Sequence, residues 1–225
     1  MVSAVIVAGG KGTRMGADKN KVLLPLMGKE IISRTVSAFE KCKLINEIII
    51  VTALCDMDTV KSIIHRDGYN KVAHITEGGT LRQNSVYNGL KLAKSDIVLI
   101  HDGARCLVTD KEICDVIADT KSFGAAAVGV KVKDTLKTID DNGNIISTVD
   151  RDRTVHIHTP QGFKTREILD LHKRAALDNI TVTDDCSVFE YYGKIVHLTM
   201  GNYDNIKITT PEDIIIGENI LKGRI

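Results

Sequence analysis

Ala8-Gly9-Gly10-Lys11-Gly12-Thr13-Arg14-Met15-Gly16 follows directly on a short apolar run, and Lys21 lies seven residues beyond Arg14. Glycines let backbone N–H groups approach a polyanion with no Cβ in the way. Cations beside them add charge stabilisation where a phosphoryl centre reacts. The segment therefore predicts a phosphate cradle. It is not a Walker loop, because no Gly-Lys-Ser/Thr closes it. It also departs from the dinucleotide fingerprint, since Met15 stands where the third glycine belongs. By itself a Gly-rich turn after a strand is often just a turn, so the reading needs support from downstream.

Asp102 supplies some, at the end of another apolar run. A carboxylate there serves a metal or substrate hydroxyls, or caps the turn that follows. Asp204 is a weaker candidate of the same kind. His156 and His158 share a strand face. With no third ligand in reach, they read as structural or substrate-adjacent rather than as a zinc site.

These residues need elements to hold them. Strands are expected at Ser3–Val7, Glu47–Thr52, Val72–Thr76 and Ile97–His101. Amphipathic helices are expected between them at Ile31–Cys42, Met57–His65, Arg82–Ala93 and Asp110–Ser122. The alternation predicts an α/β fold, a Rossmann-like, mostly parallel twisted sheet with helices on both faces. Ligands bind at the carboxyl ends of such strands, where Gly9–Arg14, Glu77–Thr80 and Asp102–Arg105 fall. Asp140-Asp141-Asn142-Gly143-Asn144 then signals a hairpin that pairs Thr135–Ile139 with Ile145–Val149. An arm with few buried positions seldom stands alone in water, so a second copy of the chain is its expected partner, with an arm folded back on its own domain as the other reading. Further helices are expected at Lys164–Ala176, after Thr183-Asp184-Asp185 and after Thr210-Pro211, with strands at Ile195–Thr199 and Ile206–Thr209. The whole chain, 1–225, reads as a single domain with 132–150 as a protruding β-arm.

Composition narrows the function classes. Thirty Lys and Arg against 29 Asp and Glu leave no global field for nucleic acid or a membrane. Anion binding must therefore come from local placement of cations. With no Trp and 4% aromatic residues, base-stacking platforms are not expected. Five scattered cysteines without a Cys-x-x-Cys pair point to a reducing cytoplasm, and no leader or membrane span is read.

From Val5 to Leu221 the chain resembles the 2-C-methyl-D-erythritol 4-phosphate cytidylyltransferase family. The resemblance rests on Gly10-Lys11-Gly12-Thr13-Arg14-Met15 with Lys21, and on Gly78-Gly79 through Arg82 and Ser85. His101-Asp102-Gly103-Ala104-Arg105, Lys133-Asp134-Thr135, Thr148-Val149-Asp150-Arg151 and Thr159-Pro160-Gln161 continue it. Thr183-Asp184-Asp185 and Asp204-Asn205-Ile206-Lys207-Ile208-Thr209 complete it. Each is short, but their joint order and spacing are specific.

The resemblance implies transfer of a cytidylyl group from CTP to a polyol phosphate, with Mg²⁺ or another divalent cation on the triphosphate. It implies catalytic cations at Arg14, Lys21 and Lys207, and CTP contacts at Ala8, Gly9, Gly10, Gly12, Gly79, Thr80, Ser85 and Asp102. The last is also the metal candidate. Arg105, Thr135, Arg151, Thr159 and Thr183 fall to the sugar phosphate, in a homodimer whose site is shared between chains. Arg82 reads as a local support for its loop. Gly9, where the family commonly has Ala, and Cys106, where it has Pro, depart from the pattern. Gly9 mildly favours ribitol-5-phosphate cytidylyltransferases, while Lys133-Asp134-Thr135 and Ser85 favour the first family. A nucleotide-binding regulator without turnover is the rival of a different class.

Overall fold

The computed structural model describes residues 1–10 and 20–224. A seven-stranded sheet runs in the order β11-β7-β10-β6-β1-β4-β5. Its strands are β1 Val2–Val7, β4 Glu47–Thr52, β5 Val72–Glu77, β6 Ile97–Asp102, β7 Ala125–Lys131, β10 Val155–Lys164 and β11 His197–Met200. Two strands of two residues each, β2 Pro25–Leu26 and β3 Lys29–Glu30, pair apart from it. β1 pairs in parallel with β4 and β6, β4 with β5, and β7 with β11. β10 alone runs antiparallel, between β6 and β7.

Helices cover both faces, as the apolar runs of the central strands require. α1 Ile31–Lys41, α2 Met57–Arg66 and α4 Asp110–Phe123 pack Phe39, Val60, Ile113 and Ile117 on one side. α3 Arg82–Leu90, α5 Thr165–Leu177 and α6 Asp185–Tyr191 pack Leu90, Ile168 and Phe189 on the other. Capping boxes start α4, at Thr109 with Glu112, and α7 Pro211–Lys222, at Thr210 with Asp213. Among the described residues no helix is long and apolar enough to cross a membrane.

The chain moves outward from β1 through β4 to β5, then returns to place β6 on the other side of β1. This reversal opens a crevice at the carboxyl ends of β1 and β6, where Val7 pairs with Asp102. In open α/β sheets that is where ligands bind.

The hairpin forms, as β8 Lys137–Ile139 and β9 Ile145–Thr148, with every residue of both strands exposed. Two expectations fail locally. Ile206–Thr209 is not a strand. Ile208 is buried, but its N–H donates to Ala104 O in the turn after β6 and not to a sheet edge. α3 ends at Leu90, three residues before the expected boundary, with Lys91 as its cap. His156 and His158 lie on a strand as expected, and β10 runs on from them through Pro160 to Lys164. Its ladder to β7 skips from Ile157 to Gln161, so Pro160 falls where no ladder N–H is needed.

Candidate active site

A cavity of about 780 Å³ occupies the crevice. Ala8, Gly9, Gly10, Lys21, Gly79, Thr80, Ser85, Asp102 and Lys207 line it, with Arg82 beside them. Segments distant in sequence thus converge as the sheet rule requires. Gly12 and Arg14 lie outside the described residues.

Ala8, where the glycine segment begins, is pinned by Asn20. Asn20, buried, donates from Nδ2 to Ala8 O at 2.7 Å and to Asp56 Oδ2 at 2.8 Å. Its Oδ1 accepts from Val22 N, starting the short helical turn Lys21–Leu23. Lys21 is thereby delivered to the cavity wall. No sequence pattern marked Asn20.

The opposite wall is the turn between β5 and α3. Ser85 Oγ accepts from Gly79 N at 3.0 Å and donates to Leu81 O at 3.2 Å. A Cβ on Gly79 would lie 2.3 Å from Asn84 Cβ, so only glycine fits. At Gly9 the nearest atoms to such a Cβ are 3.5 Å away, an ordinary contact. Thr80 is exposed, 3.3 Å from Asn84 Oδ1 through its hydroxyl.

Asp102 is the centre of charge. Its Oδ1 meets Arg82 Nε at 3.2 Å, and its Oδ2 meets Lys207 Nζ at 2.8 Å. Arg105 Nε reaches Oδ2 only at 3.8 Å and has no hydrogen-bond acceptor among the described residues. Burial alone would raise the Asp102 pKa, but Arg82 and Lys207 outweigh it and hold the group well below the usual carboxylate range. Arg82 also donates from Nη1 to Asp185 Oδ2 at 2.8 Å, and Asp185 Oδ1 receives His172 Nε2 at 3.1 Å. Three cations on two carboxylates leave one positive charge before Lys21 is counted. Sequence reasoning took Arg82 for a local support and Asp185 for part of the segment that starts a helix. Their pairing across 103 positions carried no sequence signal.

Buried side chains aim these groups. Asp102 N donates to Thr159 Oγ1 at 3.0 Å, and that hydroxyl lies 3.0 Å from His101 Nδ1. His101 Nε2 sits 3.1 Å from Arg105 O, which can only accept. The network therefore places the ring proton on Nε2, and the Thr159 hydroxyl donates to Nδ1. Burial pushes His101 down to about 4, so the ring is neutral at pH 7. Asn205 accepts Arg105 Nη1 on its carbonyl at 2.8 Å and donates to Thr159 O at 3.0 Å, fixing the segment that carries Lys207. Gln161 binds Asp184 Oδ2 and the Asp185 N–H, seating the start of α6.

The residues assigned to the sugar phosphate are not gathered at this cavity. Thr159 is buried with its hydroxyl engaged, and Arg105 lies behind Asp102. Thr135 and Arg151 flank the arm, exposed, with Arg151 Nη1 on Lys133 O at 3.2 Å. Thr183 is exposed before α6. Asp204 faces away, 3.5 Å from Arg224.

A family model described as 2-C-methyl-D-erythritol 4-phosphate cytidylyltransferase matches residues 2–223. Proteins of that name from Clostridium botulinum and Clostridium novyi are 48% and 47% identical to this chain. Each match covers 98% of it, and 99% and 96% of the relatives. The crystal structure of 4-diphosphocytidyl-2C-methyl-D-erythritol synthase from Anaerococcus prevotii superposes with a TM-score of 0.87 at 33% identity. That match covers 98% of this chain and 96% of the other.

Proposed function

The chain belongs to the 2-C-methyl-D-erythritol 4-phosphate cytidylyltransferase family, and from that premise we propose how its residues divide the work. It is a CTP-dependent nucleotidyltransferase of isoprenoid precursor biosynthesis. The methylerythritol phosphate oxygen attacks the α-phosphorus of CTP. As that P–O bond forms, the bond to the bridging oxygen breaks and its electron pair leaves with pyrophosphate. Such transfers need positioning and charge stabilisation rather than a covalent relay.

One observation carries this reading: the excess positive charge assembled on Asp102 at the sheet's switch point, facing the glycine segment. Lys21 and Lys207, both lining the cavity, brace the α-phosphate, with Arg14 from the glycine loop. The Gly79–Ser85 turn presents backbone groups to the cytosine edge. Mg²⁺ is the divalent cation we assign, and when bound it screens the triphosphate charge. Triphosphate oxygens would supply most of its ligands, because both oxygens of Asp102 already face cations.

The sugar phosphate is assigned to Arg105 and Thr183 with Thr135 and Arg151 from the arm of a second copy. Thr159 acts through Asp102. The exposure of Ile139, Ile145 and Ile146, at 63%, 67% and 65%, supports an arm that docks on such a copy. Five free cysteines fit a reducing cytoplasm. Mixed dimers of Lys21→Ala with Arg151→Ala chains should regain activity that neither homodimer has. Failure to complement would remove the shared site.

The function itself is tested by pyrophosphate release with CTP and Mg²⁺, offering 2-C-methyl-D-erythritol 4-phosphate and ribitol 5-phosphate side by side. Strong preference for the first is expected. Preference for the second would keep the chemistry and overturn the substrate.

A further inference from the structure

Away from the cleft, α1 and α4 bring three metal-binding side chains together. Cys42 caps the end of α1 and is fully buried. Asp110 opens α4 in solvent, and Cys114 lies one turn further, half-buried. Their ligand atoms all lie within 4.8 Å of one another. The two sulfurs are 3.9 Å apart. A disulfide would need about 2.05 Å. A tetrahedral ion with metal–sulfur bonds of about 2.3 Å holds its sulfurs about 3.8 Å apart. The spacing is that of two thiolates sharing an ion.

We propose that Cys42, Cys114 and Asp110 form a binding site for a thiophilic divalent ion of the zinc class, with water as the fourth ligand. Two sulfurs and one carboxylate suit zinc or cadmium and not magnesium. Binding replaces two S–H bonds with two metal–sulfur bonds, both protons pass to solvent, and no oxidant is involved. The Leu44 backbone is hydrogen-bonded to the Cys42 sulfur in the sense that favours its thiolate. Exposed Asp110 gives the ion its path from solvent. The bound ion ties the end of α1 to the start of α4 on one sheet face. It shares no residue with the cleft and is distinct from the cation that accompanies the triphosphate.

The test uses the full chain, freed of metal by chelation and kept reduced with a phosphine. Cd²⁺ is titrated while the ultraviolet sulfur-to-cadmium charge-transfer band is followed. One Cd²⁺ per chain should bind, and Zn²⁺ should displace it. Cys114→Ser should weaken binding at least about 100-fold and Asp110→Asn about tenfold, since a soft thiolate matters more than a carboxylate to such an ion. Cys55→Ser, which removes an exposed thiol, should change nothing. Zn²⁺ should raise the Tm of the wild type and not that of Cys114→Ser. Should Cys114→Ser fail to fold, Asp110→Asn at its exposed position carries the comparison. No band, a band indifferent to both Cys114→Ser and Asp110→Asn, or a band lost with Cys55→Ser would overturn the proposal.

Discussion

Lys207 Nζ lies 2.8 Å from Asp102 Oδ2, so a cation assigned to catalysis is held by a carboxylate that also binds Arg82. Asp102 anchors a cation cluster. It sets where Lys207 points and leaves the cluster net positive for a triphosphate.

Asp102→Asn keeps the side chain's size and removes the charge shared by the three cations. We expect kcat to fall about 10²-fold through misplaced Lys207, with a smaller change in KM for CTP. Steady-state kinetics over CTP concentration check this. An unchanged kcat would make Asp102 a bystander.

Arg82→Ala strands Asp185, 1% exposed, without its cationic partner. Breaking such a buried pair costs about 3–5 kcal/mol. Urea unfolding should show a loss of that order. Arg82→Lys should recover only part of it, because an ammonium cannot span both carboxylates as the guanidinium does.

The glycines make a paired prediction. Gly79→Ala should cut CTP affinity at least about tenfold, because the turn must shift away from Asn84. Gly9→Ala should leave activity and Tm nearly unchanged, since its Cβ meets only ordinary contacts. Isothermal titration with CTP on both variants separates the two outcomes.

The sheet and its helices were legible because hydrophobic periodicity is local. Val2–Val7 is apolar throughout because both sheet faces are covered, and Thr109 with Glu112 announces α4. The carboxyl-end rule then placed Asp102 beside Gly9 before any contact was known. What stayed hidden depended on long-range pairing. Arg82 with Asp185, and Asn20 with Ala8, use residue types that also serve as surface charges and turn formers. Ile206–Thr209 has strand composition, yet its backbone is taken up by Ala104. Thr159 looks like an ordinary strand threonine until His101 and Asp102 are seen on its hydroxyl.

Stability should fall in mild acid. His101 binds its proton near pH 4 when folded and near pH 6.5 when unfolded. Between those values the unfolded chain holds the extra proton, so stability rises with pH across that window. Full passage from pH 7 to pH 4 costs on the order of 3 kcal/mol from this ring. Asp102, whose folded pKa is depressed, adds a further loss only below about pH 4, where its unfolded counterpart protonates. Urea midpoints at pH 7.5, 6 and 5 should decline, and His101→Gln should flatten the slope. An equal slope in that variant would assign the effect elsewhere.

The most direct measurement is the initial rate of pyrophosphate release from CTP, Mg²⁺ and 2-C-methyl-D-erythritol 4-phosphate. Wild type is compared with Lys21→Ala and Lys207→Ala, and each Tm is recorded alongside. Each substitution should cut the rate at least about 100-fold while the chain still unfolds cooperatively, as expected for cations that stabilise the transition state. Wild-type rates in both folded variants would contradict catalysis by this cation cluster.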